Sequence, residues 1–198
     1  MPTISAPAAQ RGRPAAATRE EVLEAALHRY LRGRRVDVQA IASELGVGRA
    51  TVYRWFGSRE GLIGEVLVRA AEPLLDRARR GTRGQGARGL LLTFDRFNRG
   101  LADAPALRTF IAQERDAAIR TITSGAGIVQ PRMVARITAL VAEEASAGTY
   151  EPPVDPETLG YAIVKLAEAF LFSDAVAGVR GDVDRLRDVE AALLGVRA

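Results

Sequence analysis

Residues 37–59 read DVQAIASELGVGRATVYRWFGSR, and the fold turns on this stretch. Asp37 stands where a side-chain oxygen caps the start of a helix. Ile41, Ala42 and Leu45 then recur at helical spacing. Gly46 and Gly48 bracket Val47 in a tight turn. A second short helix is expected from Arg49 to Phe56, its apolar area supplied mainly by Val52, Trp55 and Phe56. Two short helices joined by such a turn form a helix-turn-helix, whose second helix can lie in the DNA major groove.

Position assigns roles along that second helix. Arg49, Ala50 and Thr51, near its amino end, are placed to reach base edges. An arginine can pair bidentately with guanine, and Ala or the Thr methyl can touch thymine. Tyr53 and Arg54 face outward and suit phosphates, which fix the helix in register. Trp55 is open to either core packing or a phosphate contact.

The longer run IASELGVGRATVYRWFGSREGL, residues 41–62, resembles the amino-terminal domain of TetR-type transcriptional regulators. The matching positions are Ile41-Ala42, Gly46-Val47, Tyr53 with Phe56, and Arg59-Glu60-Gly61-Leu62, and the likeness extends over about residues 18–66. It implies a three-helix DNA-binding domain over 18–62 and a helical regulatory and dimerisation domain over 63–198. Arg59 follows the Ser58 cap where the family usually carries Lys, so the resemblance implies a phosphate contact there. Two positions depart from the pattern. Asp37 replaces a frequent Ser or Thr, and Gly48 stands where a Ser cap is common.

Charge placement agrees with a polyanion partner for this first third. Residues 1–60 hold ten arginines against six acidic side chains, whereas residues 61–198 balance eighteen against eighteen. The whole net charge of +4 therefore belongs to the segment with the helix-turn-helix. Arg11 and Arg13 lie in an Ala- and Pro-rich arm, residues 1–17, expected to be disordered alone. That arm suits either insertion into the minor groove or a solubilising tail.

Composition excludes several classes. With 47% hydrophobic and 26% charged residues the chain is globular. It has no cysteine, hence no disulfide or thiolate metal site. His28, the single histidine, lacks partners for a metal or a catalytic triad and reads as a surface residue. No signal-peptide core opens the chain, and Lys165 and Glu168 interrupt its most apolar stretch, so a cytoplasmic, non-membrane protein is expected. No phosphate loop, nucleophile elbow or metal-ligand spacing appears, so neither an enzyme nor a cofactor is expected.

Beyond residue 59 the chain reads as helices only, giving an all-α protein. A capping box, Thr18 to Glu21, starts the first helix, with Leu23, Ala26, Leu27, Tyr30 and Leu31 as its core stripe. Pro73 is expected to kink or shorten the fourth helix. Residues 81–89, GTRGQGARG, read as a loop. A fifth helix carries Leu90, Phe94, Phe97, Asn98 and Leu101 on one face. A sixth opens at Ala104-Pro105 with Leu107, Phe110, Ile111 and Glu114, and a seventh begins near Pro131 with Met133 and Ile137 inward. Asp155-Pro156 opens what reads as the longest helix, apolar nearly all round, which must be covered on every side. A last helix follows Gly181-Asp182. The surplus apolar surface of these two suits a four-helix bundle with a second copy, a homodimer, or cover within one monomer.

Asn98, Glu114 and Glu168 interrupt apolar stripes. Among Phe94, Phe97, Phe110, Met133 and Tyr161 they suit an apolar ligand pocket with a few polar anchors, or else contacts between helices. Residues 91–115, 129–134 and 151–178 resemble the regulatory domain of QsdR-type TetR regulators. That resemblance implies a small amphiphilic, lactone-like effector. The expectation is a dimeric repressor on a near-palindromic operator in double-stranded DNA, released by such an effector. Two alternatives are a DNA-binding dimer without an effector, and an enzyme converting a small molecule.

Overall fold

Residues 17–172 and 182–196 are described in the computed structural model of the protein, and every regular element among them is a helix. The arm with Arg11 and Arg13 lies outside the described residues, as does Gly181. Helix α1, Arg19–Leu31, starts on the expected capping box: Thr18 Oγ1 accepts from the Glu21 amide at 3.2 Å, and the Glu21 carboxylate accepts from the Thr18 amide at 2.6 Å. Its inner face buries Val22, Leu23, Ala26 and Tyr30. Leu31 departs from the expected stripe and is 60% exposed, at the helix's last residue.

Helix α2, Val38–Glu44, is capped by the Asp37 carboxylate, which accepts from the Gln39 and Ala40 amides at 2.8 and 3.1 Å. Gly46, at φ +66°, turns the chain where a side chain would be strained. Helix α3, Arg49–Phe56, starts at Gly48 without a side-chain cap and turns Val52 and Phe56 inward. Helix α4, Arg59–Arg79, is capped by Ser58 and runs through Pro73 without being shortened. It is the longest described helix, with 21 residues against 17 in the apolar helix expected to lead. Its first half packs Leu62, Ile63, Val66 and Leu67 into a core that joins the head to Leu107, Phe110, Ala118, Ile122 and Val129 of the body, and its second half packs Leu75 and Ala78 into a separate core. Each such Leu, Ile or Val side chain contributes roughly 2 kcal/mol by leaving water. Position 62 therefore falls inside a helix that serves both cores.

The body comprises α5, Gly86–Asp103; α6, Pro105–Gln113; α7, Arg115–Thr123; α8, Val129–Ser146; α9, Pro156–Phe172; and α10, Val183–Leu193. The loop expected over 81–89 is shorter, because α5 begins at Gly86. Its entry is held by the buried Glu144 carboxylate, which accepts from the Gly84 and Gly86 amides, from Thr149 and from Arg79, all between 2.6 and 2.9 Å. The chain also breaks at Glu114, splitting the expected sixth helix and adding α7, which the sequence reading missed. Helices α8 and α9 pack closely at Gly160, where a Cβ would lie 2.3 Å from Thr138 Oγ1. On α9, Leu159, Ile163, Val164 and Leu171 face the interior, whereas Tyr161 is 52% exposed.

Candidate functional site

Two features built from these helices can carry function: the outer face of α3 and a cavity inside the body. On α3, Val52 and Phe56 anchor one side in the core, which turns the other side to solvent. Arg49 and Ala50 at its amino end are exposed, and Thr51 is half-buried beside them. Tyr53 and Arg54, one turn later, are also exposed. The Arg49 guanidinium donates to Gln39 Oε1 across the turn at 3.3 Å, a long and exposed bond that a base edge can replace. Trp55 is half-buried against the head core, which favours its packing role.

Arg59 does not join this face. Its Nε donates to the Val36 carbonyl at 2.9 Å, and both its terminal nitrogens donate to the Glu114 carboxylate at 2.8 and 2.7 Å. The fork-on-carboxylate geometry occupies the guanidinium, so the expected phosphate contact is corrected to an ion pair between head and body. Arg59 holds the Glu114 carboxyl below the ordinary range, with Arg35 adding to the effect.

The same pair corrects part of the expected pocket. Glu114 and Phe110 border a crevice of only about 10 Å³, too small for a ligand. Phe110 is buried and meets the edge of the Tyr30 ring at 6.3 Å between centroids. Tyr161 is 52% exposed and borders neither this crevice nor the larger cavity of the body. These three were expected among the ligand contacts because they share apolar stripes with residues that do line it. A stripe does not say which side of a helix faces the hollow.

Phe94, Phe97, Asn98, Met133 and Glu168 do border a common cavity of about 630 Å³, within the size range of small-molecule sites. Every described helix except α2 and α3 contributes to its wall. Leu31, Arg77, Asp103 and Pro105 are exposed and mark the side open to solvent, while Phe94, Ile137 and Ile163 close the far side. The wall is mostly apolar. Tyr30, whose phenol burial pushes up to about 12, also borders it.

Two buried polar pairs interrupt that wall. Gln130 Nε2 donates to both oxygens of Glu168 at 2.8 and 3.1 Å, and Lys165 pairs with the same carboxylate. Asn98 Nδ2 donates to Glu190 Oε1 at 3.0 Å. Glu190 is fully buried, and its Oε2 has no partner among the described residues. Burial pushes its carboxyl up to about 8, the Asn98 bond pulling it down and the nearby Asp95 charge pushing it further up. Sequence reading missed Glu190 and Gln130. Glu190 follows Val189 on an amphipathic last helix, and only its burial distinguishes it from the solvated charges around it. Among the described residues no group of His, Cys, Asp and Glu is placed to hold a metal, and no helix is long and apolar enough to cross a membrane.

Residues 85–195 match the family described as tetracyclin repressor-like, C-terminal domain. Residues 32–66 match bacterial regulatory proteins of the tetR family. Among solved structures, the transcriptional repressor QsdR of R. erythropolis, from the TetR family, is similar with a TM-score of 0.84 and 28% identity, over 91% of this chain and 95% of that one. The TetR family repressor AlkX of Dietzia sp. strain DQ12-45-1b, implicated in biodegradation of n-alkanes, has a TM-score of 0.60 and 22% identity, over 94% and 97%. The second likeness concerns the fold alone. No curated relative matches the chain.

Proposed function

Because the chain belongs to the TetR family of bacterial transcriptional regulators, we propose that it acts as a dimeric repressor released by a small amphiphilic effector bound in the 630 Å³ cavity. Residues 18–62 carry the DNA-reading head, with Arg49, Ala50 and Thr51 on base edges and Tyr53 and Arg54 on phosphates. Arg11 and Arg13 in the arm add phosphate or minor-groove contacts. Residues 63–198 bind effector and partner copy, and the protein works in the cytoplasm without a membrane.

The cavity's position carries this reading. Its wall includes Leu27, Tyr30 and Leu31 of α1 and Leu67 and Ala70 of α4, helices that also form the core of the head. A ligand that fits one arrangement of these helices better than another shifts the spacing of the two heads by that difference in affinity. The likeness of the regulatory half to QsdR-type regulators supports a lactone-like effector. Tyr161 and Val189, exposed at 52% and 40% on neighbouring helices α9 and α10, support a partner copy on that side.

Nuclease footprinting over the promoter beside the protein's own gene tests the proposal. The expected result is a protected near-palindrome, lost in Arg49→Ala and Tyr53→Ala. An unprotected promoter, with both variants behaving as the unaltered protein, overturns it.

A further inference from the structure

The effector reading leaves open what chemistry the cavity selects, and Glu190 bears on that. Its side chain is fully buried, borders the cavity, and has no cation within ion-pair distance among the described residues. A carboxylate so placed would lose its hydration with no charge to compensate it, so the neutral acid is the stable form. Burial pushing the group up to about 8 agrees with this. In the neutral acid Oε1 accepts from Asn98, and Oε2 is left as a buried hydroxyl donor without an acceptor. An unmet buried donor carries a penalty that a ligand acceptor removes. Glu168, the other buried carboxyl on the wall, is already satisfied by Gln130 and Lys165, and Asp103 is exposed at the rim.

Resting on the effector reading above, we infer that Asn98 and Glu190 form the cavity's polar anchor and select an uncharged amphiphile through a carbonyl oxygen. That oxygen displaces the wall beside Asn98, since the Glu190 carboxyl has no surface open to the cavity, and accepts a hydrogen bond from the carboxyl. The amphiphile's apolar part fills the space beside Phe94, Phe97 and Met133. An anion at this anchor would add a negative charge near Asp95, while the cavity's own cations, Arg69 and Arg77, are exposed at its rim, with Arg69 paired to Glu20 and Glu24. An ammonium would have to shed its water among apolar side chains and draw the proton from Glu190, at a larger desolvation cost than a carbonyl.

Titration calorimetry of the full chain at pH 7 with 2-octanone, octylammonium and octanoate tests the inference. The ketone is expected to bind at least about tenfold more tightly than either ion, to keep its affinity within about threefold in Glu190→Gln, and to lose about tenfold or more in Glu190→Leu. Difference infrared spectroscopy on the unaltered chain does not depend on the leucine variant folding. A protonated-carboxyl band absent from Glu190→Gln should be present and should move when the ketone is added. Equal ketone affinity in Glu190→Leu, or an unmoved band, removes the anchor and leaves the effector reading standing. Preference for octylammonium or octanoate overturns the uncharged class. Failure of all three probes to bind the unaltered chain overturns the anchor and the effector cavity together.

Discussion

At the scale of single residues, two arginines ten positions apart have opposite fates. Arg49 is exposed at the start of α3 with one replaceable bond, whereas Arg59 is held by three. Arg49→Ala is expected to weaken binding to the preferred operator by about 1–3 kcal/mol and to relax the choice of base at one position. Arg54→Ala should weaken binding evenly across sequences and reduce the dependence on salt by about one counterion. Arg59→Ala instead leaves a partly buried Glu114 with only the longer, exposed Arg35 contact, and should lower stability by about 2 kcal/mol with little change in the salt slope. Gel-shift titrations at several salt concentrations, beside thermal melts, separate the three. An Arg59→Ala protein that melts normally but loses salt dependence would restore its phosphate role. The residue types of the head were legible in the sequence. The partner of Arg59 was not, because Glu114 lies 55 positions away and is brought to it only by the packing of α6 on α1 and of α7 on α4.

At the scale of elements, the head helices were read nearly residue for residue because their caps are local: Thr18, Asp37 and Ser58 each bond an amide two or three positions on. The break at Glu114 has no such local signal. Gln113-Glu114-Arg115 contains neither Gly nor Pro, and the carboxylate is drawn out of helical geometry toward Arg59 by a tertiary contact. The entry of α5 was likewise illegible, since Glu144 supplies it from α8. The packing of α8 on α9 gives an element-scale prediction. The Cβ of Gly160→Ala would sit 2.3 Å from Thr138 Oγ1 and 2.9 Å from the Thr138 amide nitrogen, and backbone cannot rotate aside. Overpacking against backbone belongs at the upper end of the usual range of about 1–3 kcal/mol, more than the roughly 1 kcal/mol that alanine returns through helix propensity. Thermal or urea unfolding should show the loss, and pairing with Thr138→Ala should recover only part of it, since the amide contact remains. A Gly160→Ala protein as stable as the original would mean that these helices are not in such close contact.

At the scale of the whole molecule, an all-helical body with surplus apolar surface on its last helices was legible from residue pattern, and Tyr161 and Val189 are exposed in one copy of the chain. Tyr161→Asp should shift sedimentation from dimer toward monomer and cost operator affinity without moving the melting point of the monomer much. The pH dependence of stability involves two buried carboxyls pulling in opposite directions. Burial alone would raise the Glu144 carboxyl, but Thr149, Arg79 and the Gly84 and Gly86 amides outweigh it and hold it at about 2. It therefore stabilises the fold above the ordinary carboxyl range near 4.5, and that contribution drains away as pH falls toward 2. Glu190, raised to about 8, does the reverse: it is neutral in both folded and unfolded chains below about 4.5, and costs stability as pH rises from there to 8, where the folded protein ionises too. Glu190→Gln has no proton to lose. Its melting temperature should match that of the original chain near pH 4 and exceed it increasingly up to pH 8. Glu144→Gln should show the opposite pattern, with a deficit at neutral pH that narrows on acidification. A Glu190→Gln advantage independent of pH would mean that the buried acid is ionised in the folded state, with a cation found nearby; the Glu144 curve would be untouched by that result, because the two carboxyls share no partner.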